Sequence, residues 1–204
     1  MKVTLASEKQ LSGVKRETGK SFDEWFALLD KQVGADKGRR EIGMYLGNTV
    51  KVDPWWGGTI TVEYENARGA KEKDGRPRGY SICATKKLKA SPDACFAAWA
   101  TPGALDTWLG AKHEGKVEDG ARLTNADGNV AEIKKINKGK TIRLTWQDPL
   151  AAPGTPVEVK FQASGPKTTV MVVHERLQTR EEADGLRAAW GEALDRLKAV
   201  VEKG

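Results

Sequence analysis

Apolar positions along the chain change their spacing twice, and each change predicts a different kind of element. In the first third the spacing is helical. Phe22, Trp25, Phe26 and Leu29 stand at i, i+3, i+4 and i+7, one face of a helix. Ser21-Phe22-Asp23-Glu24 has the form of a capping box, and so does Ser7-Glu8-Lys9-Gln10, so two helices are predicted with Gly19 as the left-handed turn between them. Arg39 to Leu46 offers Ile42, Tyr45 and Leu46 on one side and is expected to stop at Gly47. Asp53-Pro54 reads as an N-cap followed by Pro at the first helical position, with Trp56, Ile60 and Tyr64 recurring every four residues. The β-branched run Thr59-Ile60-Thr61-Val62 suits a strand equally well; the reading adopted is a helix to about Arg68, giving a small all-α module.

The charged stretch from Ala70 to Arg78 contains Gly75 and Pro77 and reads as a domain boundary. The expected division is a helical domain over 1–70, a linker over 71–78 and a second domain over 79–204. Beyond the linker the spacing drops to two. A strand is predicted from Tyr80 to Leu88, with Ile82, Ala84 and Leu88 on its buried side. Two short helices then begin at Ser91-Pro92-Asp93 and Thr101-Pro102. The strand candidates that follow are Gly115–Val117, Ala121–Thr124, Val130–Ile136, Thr141–Trp146, Val157–Gln162 and Thr168–Leu177. Asp119-Gly120, Asp127-Gly128, Asn137-Lys138-Gly139 and Ser164-Gly165-Pro166 punctuate them, which makes an antiparallel meander. Asp148 to Pro156, with its prolines, is expected to be the longest loop. The helical period returns at the end: Leu186, Trp190, Leu194, Leu197 and Val201 form one stripe behind a Thr179/Glu182 capping box. The fold class predicted is α+β, an antiparallel sheet around a long C-terminal helix.

Composition leaves this picture in place and removes alternatives. Hydrophobic residues make up 39% and charged residues 30%, an ordinary globular balance. No apolar stretch approaches the roughly 20 residues needed to cross a bilayer, and MKVTLASEKQ lacks the apolar core of a secretory signal, so the expected location is cytoplasmic, with no membrane partner. The net charge of +6 divides evenly about Arg78, and acidic residues interleave with the basic ones. That argues against a nucleic-acid face. Cys83 and Cys95 sit among apolar neighbours and read as two small buried thiols.

The run Gly19-Lys20-Ser21-Phe22-Asp23-Glu24-Trp25, with Val62-Glu63-Tyr64-Glu65-Asn66-Ala67-Arg68-Gly69, resembles a small bacterial helical family of unknown function, often fused ahead of other domains. Residues 79–204 resemble the START-like (SRPBCC) superfamily and, within it, the homologues of the activator of the heat-shock chaperone ATPase. The matching pieces are Ser91-Pro92 through Trp99, the Pro102 to Trp108 helix, Glu132-Ile133, Thr169 through Glu175, Trp190, and Leu194-Asp195-Arg196-Leu197. The resemblance implies a helix-grip fold with a cavity between the sheet and the terminal helix. Members include lipid and hormone binders, cyclase-like enzymes and co-chaperones, so it leaves the function open.

A cavity of this kind is concave, largely apolar and carries a few polar groups. The residues expected near it are Trp99, Trp108, Trp146, His174 and Trp190, although tryptophans at such spacings also serve simply as core. His174 could donate to a ligand or exchange a proton, or be a hydrogen-bonded structural histidine. His113 and Glu114 are adjacent and on a strand would face opposite sides, so they make a poor metal site. Glu132 could face the cavity or solvent. No phosphate-binding glycine loop or GxSxG motif is present, and no catalytic constellation, metal or cofactor is assigned. The reading is a binder of a small hydrophobic or amphipathic molecule. The alternatives are a co-chaperone-like interaction module, whose protein partner is not indicated, and a cyclase- or dehydratase-like enzyme using His174 or Glu132.

Overall fold

A computed structural model describes residues 1–5, 13–34, 37–110 and 112–203. Contacts divide the chain into two units, one of Ser7–Tyr80 and Gln178–Arg180, the other of Met1–Ala6, Ser81–Leu177 and Glu181–Gly204.

The smaller unit is helical: α1 (Val14–Thr18), α2 (Phe22–Gln32), α3 (Arg39–Met44), a π-helical turn (Tyr45–Val50) and α4 (Pro54–Ala67). The helix start at Ser7 falls outside the described residues. The capping box of α2 forms as its sequence demands, with Ser21 accepting from the Glu24 N–H and the Glu24 carboxylate accepting from the Ser21 N–H. Asp53 caps α4 by accepting from the Trp55 and Trp56 backbone N–H groups, and the β-branched run lies inside that helix. Packing decides against the strand, because Ile60 and Tyr64 on one face complete a core with Val14, Trp25, Leu29, Ile42 and Leu46. The expected stop at Gly47 is corrected: the chain continues in the wider π turn through Gly47 and ends at Lys51, the residue that adopts the left-handed conformation. Glu65 is buried on α4 and its carboxylate receives Arg39, with Arg78 bonded to its other oxygen at 2.9 Å.

The larger unit holds a seven-stranded sheet in the order β1-β7-β6-β5-β4-β3-β2. Its strands are β1 (Tyr80–Leu88), β2 (His113–Gly115), β3 (Arg122–Asn125), β4 (Val130–Asn137), β5 (Thr141–Asp148), β6 (Ala152–Ser164) and β7 (Lys167–Leu177). Two short helices, α5 (Pro92–Ala97) and α6 (Pro102–Asp106), carry the chain from β1 to β2 at the opposite edge. From β2 to β7 every successive pair is antiparallel, so the meander brings β7 back beside β1. The 22-residue helix α7 (Arg180–Val201) closes the chain. This is a helix-grip fold of the α+β class.

The strand-period burial is sharp. Along β7 Thr168, Val170, Val172 and His174 are buried in alternation, and along β1 Ile82, Ala84 and Leu88. The same alternation corrects the reading of Cys83, which lies between Ile82 and Ala84 and faces solvent; Cys95 is buried. The expected long loop from Asp148 to Pro156 is also corrected. A tight turn follows Asp148, and β6 starts already at Ala152. Residues 152–156 pair only with β5, and pairing to β7 begins at Val157. Pro153 and Pro156 therefore occupy a stretch with one free edge, where a missing N–H costs no ladder bond. Gly154 (φ 90°) takes up the register shift at Trp146/Gln147. On α7, Leu186, Trp190, Leu194 and Leu197 of the predicted stripe are buried, joined by Ala183, Ala189 and Ala193, while Val201 at its end is half-buried. Gly185 belongs to the same buried face, where a Cβ would lie 2.5 Å from the Thr4 carbonyl oxygen, so only glycine admits the N-terminal segment there.

Candidate functional site

The inner face of the sheet collects the aromatic residues of the larger unit. Trp99 follows α5, Trp108 follows α6, Trp146 lies on β5, His174 on β7 and Trp190 on α7, and the structure brings all five together. Trp99 lies 4.6 Å from Trp108 and 6.3 Å from Trp190, measured between ring centroids. Trp190 in turn lies 5.2 Å from Trp146 and 6.4 Å from His174. Phe161 of β6 extends the group with edge contacts to Phe96 and Trp99. The pairs are tilted, edge-on or offset, arrangements in which the ring quadrupoles attract.

Beside this cluster lies a cavity of about 20 Å³. Its walls are Trp99, Leu105 and Leu109 from the α5–α6 segment, Val117, Leu123 of β3, Ala131 and Ile133 of β4, and Ile142, Leu144 and Trp146 of β5. Every wall residue is apolar or aromatic. Trp99 and Trp146 thus line the space directly, while Trp108, Trp190 and His174 pack in the cluster and are not among its walls. The volume suffices for a single water, well short of the several hundred cubic ångströms of a pocket for a drug-sized ligand. The close ring packing is the physical reason, since four indoles occupy the hollow that a larger ligand would need.

Two polar atoms in this region are anomalous. Trp99 Nε1 and Trp146 Nε1 are buried, and they are the buried side-chain nitrogens or oxygens without a hydrogen-bond partner among the described residues. Trp108 Nε1, by contrast, donates to the Ala98 carbonyl oxygen at 2.9 Å. Trp190 Nε1 donates to His174 Nδ1 at 3.2 Å.

That last bond fixes the state of His174. An indole N–H only donates, so Nδ1 accepts and the ring proton sits on Nε2, which donates to Thr155 Oγ1 at 2.6 Å. Both ring nitrogens are therefore engaged. Burial away from solvent pushes the pKa down from 6.5 to about 3, so the imidazole is neutral at physiological pH. Thr155 lies two residues before Val157, the residue paired with His174 across β6 and β7. Sequence reasoning missed it because the residue fell in the expected loop. Glu132 is exposed and ion-paired with Lys134.

A second polar group of residues surrounds His113. Its Nδ1 contacts Asp106 Oδ1 at 2.8 Å, and the same oxygen accepts from the His113 backbone N–H at 2.6 Å, which joins the end of α6 to the start of β2. The bond from His113 holds the Asp106 carboxyl below its usual range, and burial pulls His113 down against the opposing pull of Asp106. Further along, Asn125 donates to Asn129 Oδ1, Asn129 donates to Asp148 Oδ2 at 2.6 Å, and the Met1 amino group donates to Asp127 Oδ2 and Asn129 Oδ1. His113 is buried and Glu114 exposed, the opposite facing that a strand imposes. Among the described residues no group of three or more His, Cys, Asp or Glu side chains is placed to hold a metal ion.

Comparison with known proteins bears on this architecture. The family profile described as Activator of Hsp90 ATPase homolog 1-like protein matches residues 89–202. Among solved structures, the Aha1 dimer from Colwellia psychrerythraea is 21% identical with a TM-score of 0.54, over 60% of this chain and 96% of that one. CalU16 from Micromonospora echinospora is 18% identical with a TM-score of 0.54, over 59% and 75%. DynU16, a protein of the dynemicin biosynthetic locus, is 19% identical with a TM-score of 0.55, over 61% of this chain and 48% of its own. At these identities the likeness is one of fold. No curated protein sequence matches the chain.

Proposed function

The chain belongs to the Activator of Hsp90 ATPase homolog 1-like family, and on that premise we propose that it binds a small hydrophobic or amphipathic molecule on the inner face of its sheet. The observation that carries this reading is a small space whose walls are entirely apolar, set between β3–β5 and the α5–α6 segment. Apolar walls with few polar groups are the usual surface of a small-molecule site. Trp99 and Trp146 would touch the ligand, and Trp108, Trp190 and His174 would support them from behind.

The small volume sets a condition. A ligand larger than water must displace part of the wall, and the part built from a short element is the five-residue helix α6, which supplies Leu105. Displacement there leaves the central strands and α7 in place. A His174-based enzyme has less support, since both ring nitrogens are already bonded inside the fold. We place the protein in the cytoplasm; among the described residues no helix is long and apolar enough to cross a membrane.

Native mass spectrometry of protein purified from its own host tests the proposal. The expected result is a retained apolar molecule that Ala131→Met, which fills the cavity from β4, displaces without loss of folded structure. Protein that emerges without a ligand, and whose indole resonances stay unmoved by a panel of small apolar molecules, would overturn it.

A further inference from the structure

The inner face of the sheet continues past the cavity, and there it meets the first residues of the chain. Ala131 and Trp146 are register partners on β4 and β5, and both are cavity walls. The next inward-facing positions along the same two strands are Asn129 and Asp148, both buried and joined by the bond from Asn129 Nδ2 to Asp148 Oδ2 at 2.6 Å. Two residues along a strand set them roughly 7 Å beyond the walls. The Met1 amino group sits here, donating to Asn129 Oδ1 at 2.7 Å and to Asp127 Oδ2 at 2.9 Å. It also lies against the α6 side of the cavity. Gly110 follows the wall residue Leu109, and a Cβ there would lie 2.5 Å from the Met1 nitrogen. At its other end the segment rests on α7, where Gly185 leaves room for Val3 and the Thr4 carbonyl. Met1 and Val3 are buried, while Lys2, Thr4 and Leu5 are exposed.

We infer that residues 1–5 are a strap that shuts this end of the inner face, and that its release loosens the wall from Leu105 to Gly110 and admits a ligand. The inference rests on the binding proposal above and deepens it, since a space of about 20 Å³ must open before anything larger than water enters. Two observations make the strap the part that yields. Residues 1–5 belong to no strand or helix, so lifting them breaks no backbone ladder. Segments of that kind open at the low end of the range of local stabilities. Its contacts also reach both sides of the gap, the α6 side at Gly110 and the α7 side at Gly185. The wall has two other ties, from Arg196 Nε to the Trp108 carbonyl oxygen at 2.8 Å and from His113 to Asp106. Those come from α7 and β2; of the three ties, the strap is the one outside every regular element.

The test dislodges the strap from both sides of one contact, in the full chain. Gly185→Ala puts a methyl group where the Thr4 carbonyl now lies and favours the helix it sits in. Val3→Asp places a charge at a buried position of the strap and leaves every strand and helix sequence unchanged. Backbone ¹⁵N order parameters of residues 3–5 report the strap. Hydrogen exchange of the Trp108 and Leu109 amides, both bonded to the Leu105 carbonyl oxygen, reports the wall, with the β5 amides as reference. Toluene, titrated into each protein and followed by calorimetry, reports access. In both variants the order parameters are expected to fall from about 0.85 to below about 0.6. Exchange at Trp108 and Leu109 should rise roughly tenfold with β5 unchanged, the pattern of a local opening. Toluene should bind about tenfold more tightly, in proportion to the open fraction. A mobile strap with full protection kept at Trp108 and Leu109 would overturn its hold on the wall. Faster exchange throughout β5 as well would overturn a local device. Order parameters unchanged in both variants would overturn the seating on α7. A loosened wall with toluene affinity equal to that of the unmodified protein would overturn the role in access. Toluene that binds none of the three proteins would overturn the binding proposal, while the exchange result still decides whether the strap holds the wall.

Discussion

Replacing His174 by Gln isolates a single titration inside the core. In the folded chain His174 titrates at about 3 because burial disfavours its charged form, against 6.5 for an ordinary histidine. A depressed pKa on a base has a definite sign. Above pH 6.5 neither state carries the proton and nothing is lost. Below it the unfolded chain takes up a proton that the folded chain refuses, so stability falls as the pH drops, down to about 3. The slope approaches ~1.4 kcal/mol per pH unit, which amounts to ~2 kcal/mol between pH 7.5 and pH 5. Most carboxylates titrate below that window, and His113, whose pKa burial also lowers, contributes with the same sign in both proteins. Gln cannot titrate, yet it offers a carbonyl to the Trp190 N–H and an amide N–H to Thr155. The assay is urea unfolding followed by near-ultraviolet circular dichroism at pH 7.5, 6.5, 5.8 and 5. The variant should begin less stable at pH 7.5 and converge on the original as the pH falls, its pH slope being shallower by about one proton. Parallel curves for the two proteins would show that His174 takes up its proton in the folded state, and would refute the sealed, doubly bonded arrangement.

The remaining predictions concern packing and access. Leu194→Ala removes a fully buried side chain from the face of α7 that meets the sheet; the expected loss is about 2–5 kcal/mol in chemical denaturation, and a loss below ~1 kcal/mol would contradict the placement of the stripe. Glu65→Ala leaves Arg39 and Arg78 without their shared carboxylate; because each arginine is about one-third exposed, the cost should fall near 2 kcal/mol, short of the 3–5 of a fully buried pair, and is read from the unfolding of the helical unit. Cys83 should react with a maleimide in the native protein within minutes and Cys95 only after unfolding, as intact mass measurement with and without urea will show.

The local elements were legible because each was written in short-range chemistry. Ser21 with Glu24, Asp53 and Ser91 each satisfy free backbone groups within three residues, and Pro54 and Pro92 remove one such group each, so the helix starts could be read one at a time. The alternation in β7 and the stripe on α7 needed only the side-chain period of their own elements. The errors came where a distant partner decided. The prolines at 153 and 156 signalled a loop, and only the absence of β7 beside residues 152–156 lets them lie in a strand. Gly47 signalled a stop that the packing of Leu46 and the turn at Lys51 carried further on. Cys83 looked apolar by its neighbours in sequence, while its neighbours across the sheet left it outside.

The candidate site shows the same limit. Its five aromatic and histidine positions were identifiable as bulky groups on the buried phases of their elements, because periodicity reports which face of an element is apolar. Periodicity carries no information about how much space remains once such faces meet. Four indoles and an imidazole, from the residues just after α5 and α6 and from β5, β7 and α7, fill the hollow almost completely, and the volume left is a small difference between large packed volumes. Which indole N–H finds an acceptor is likewise settled at distances of about 3 Å between elements far apart in the chain: Trp190 reaches His174 and Trp108 reaches Ala98, while Trp99 and Trp146 reach nothing. The sequence by itself determined most of the elements, most of their apolar faces and their family. Tertiary structure decided the size of the cavity, the sealed state of His174 and the two unpaired donors, because each depends on the meeting of surfaces and no single stretch of chain contains it.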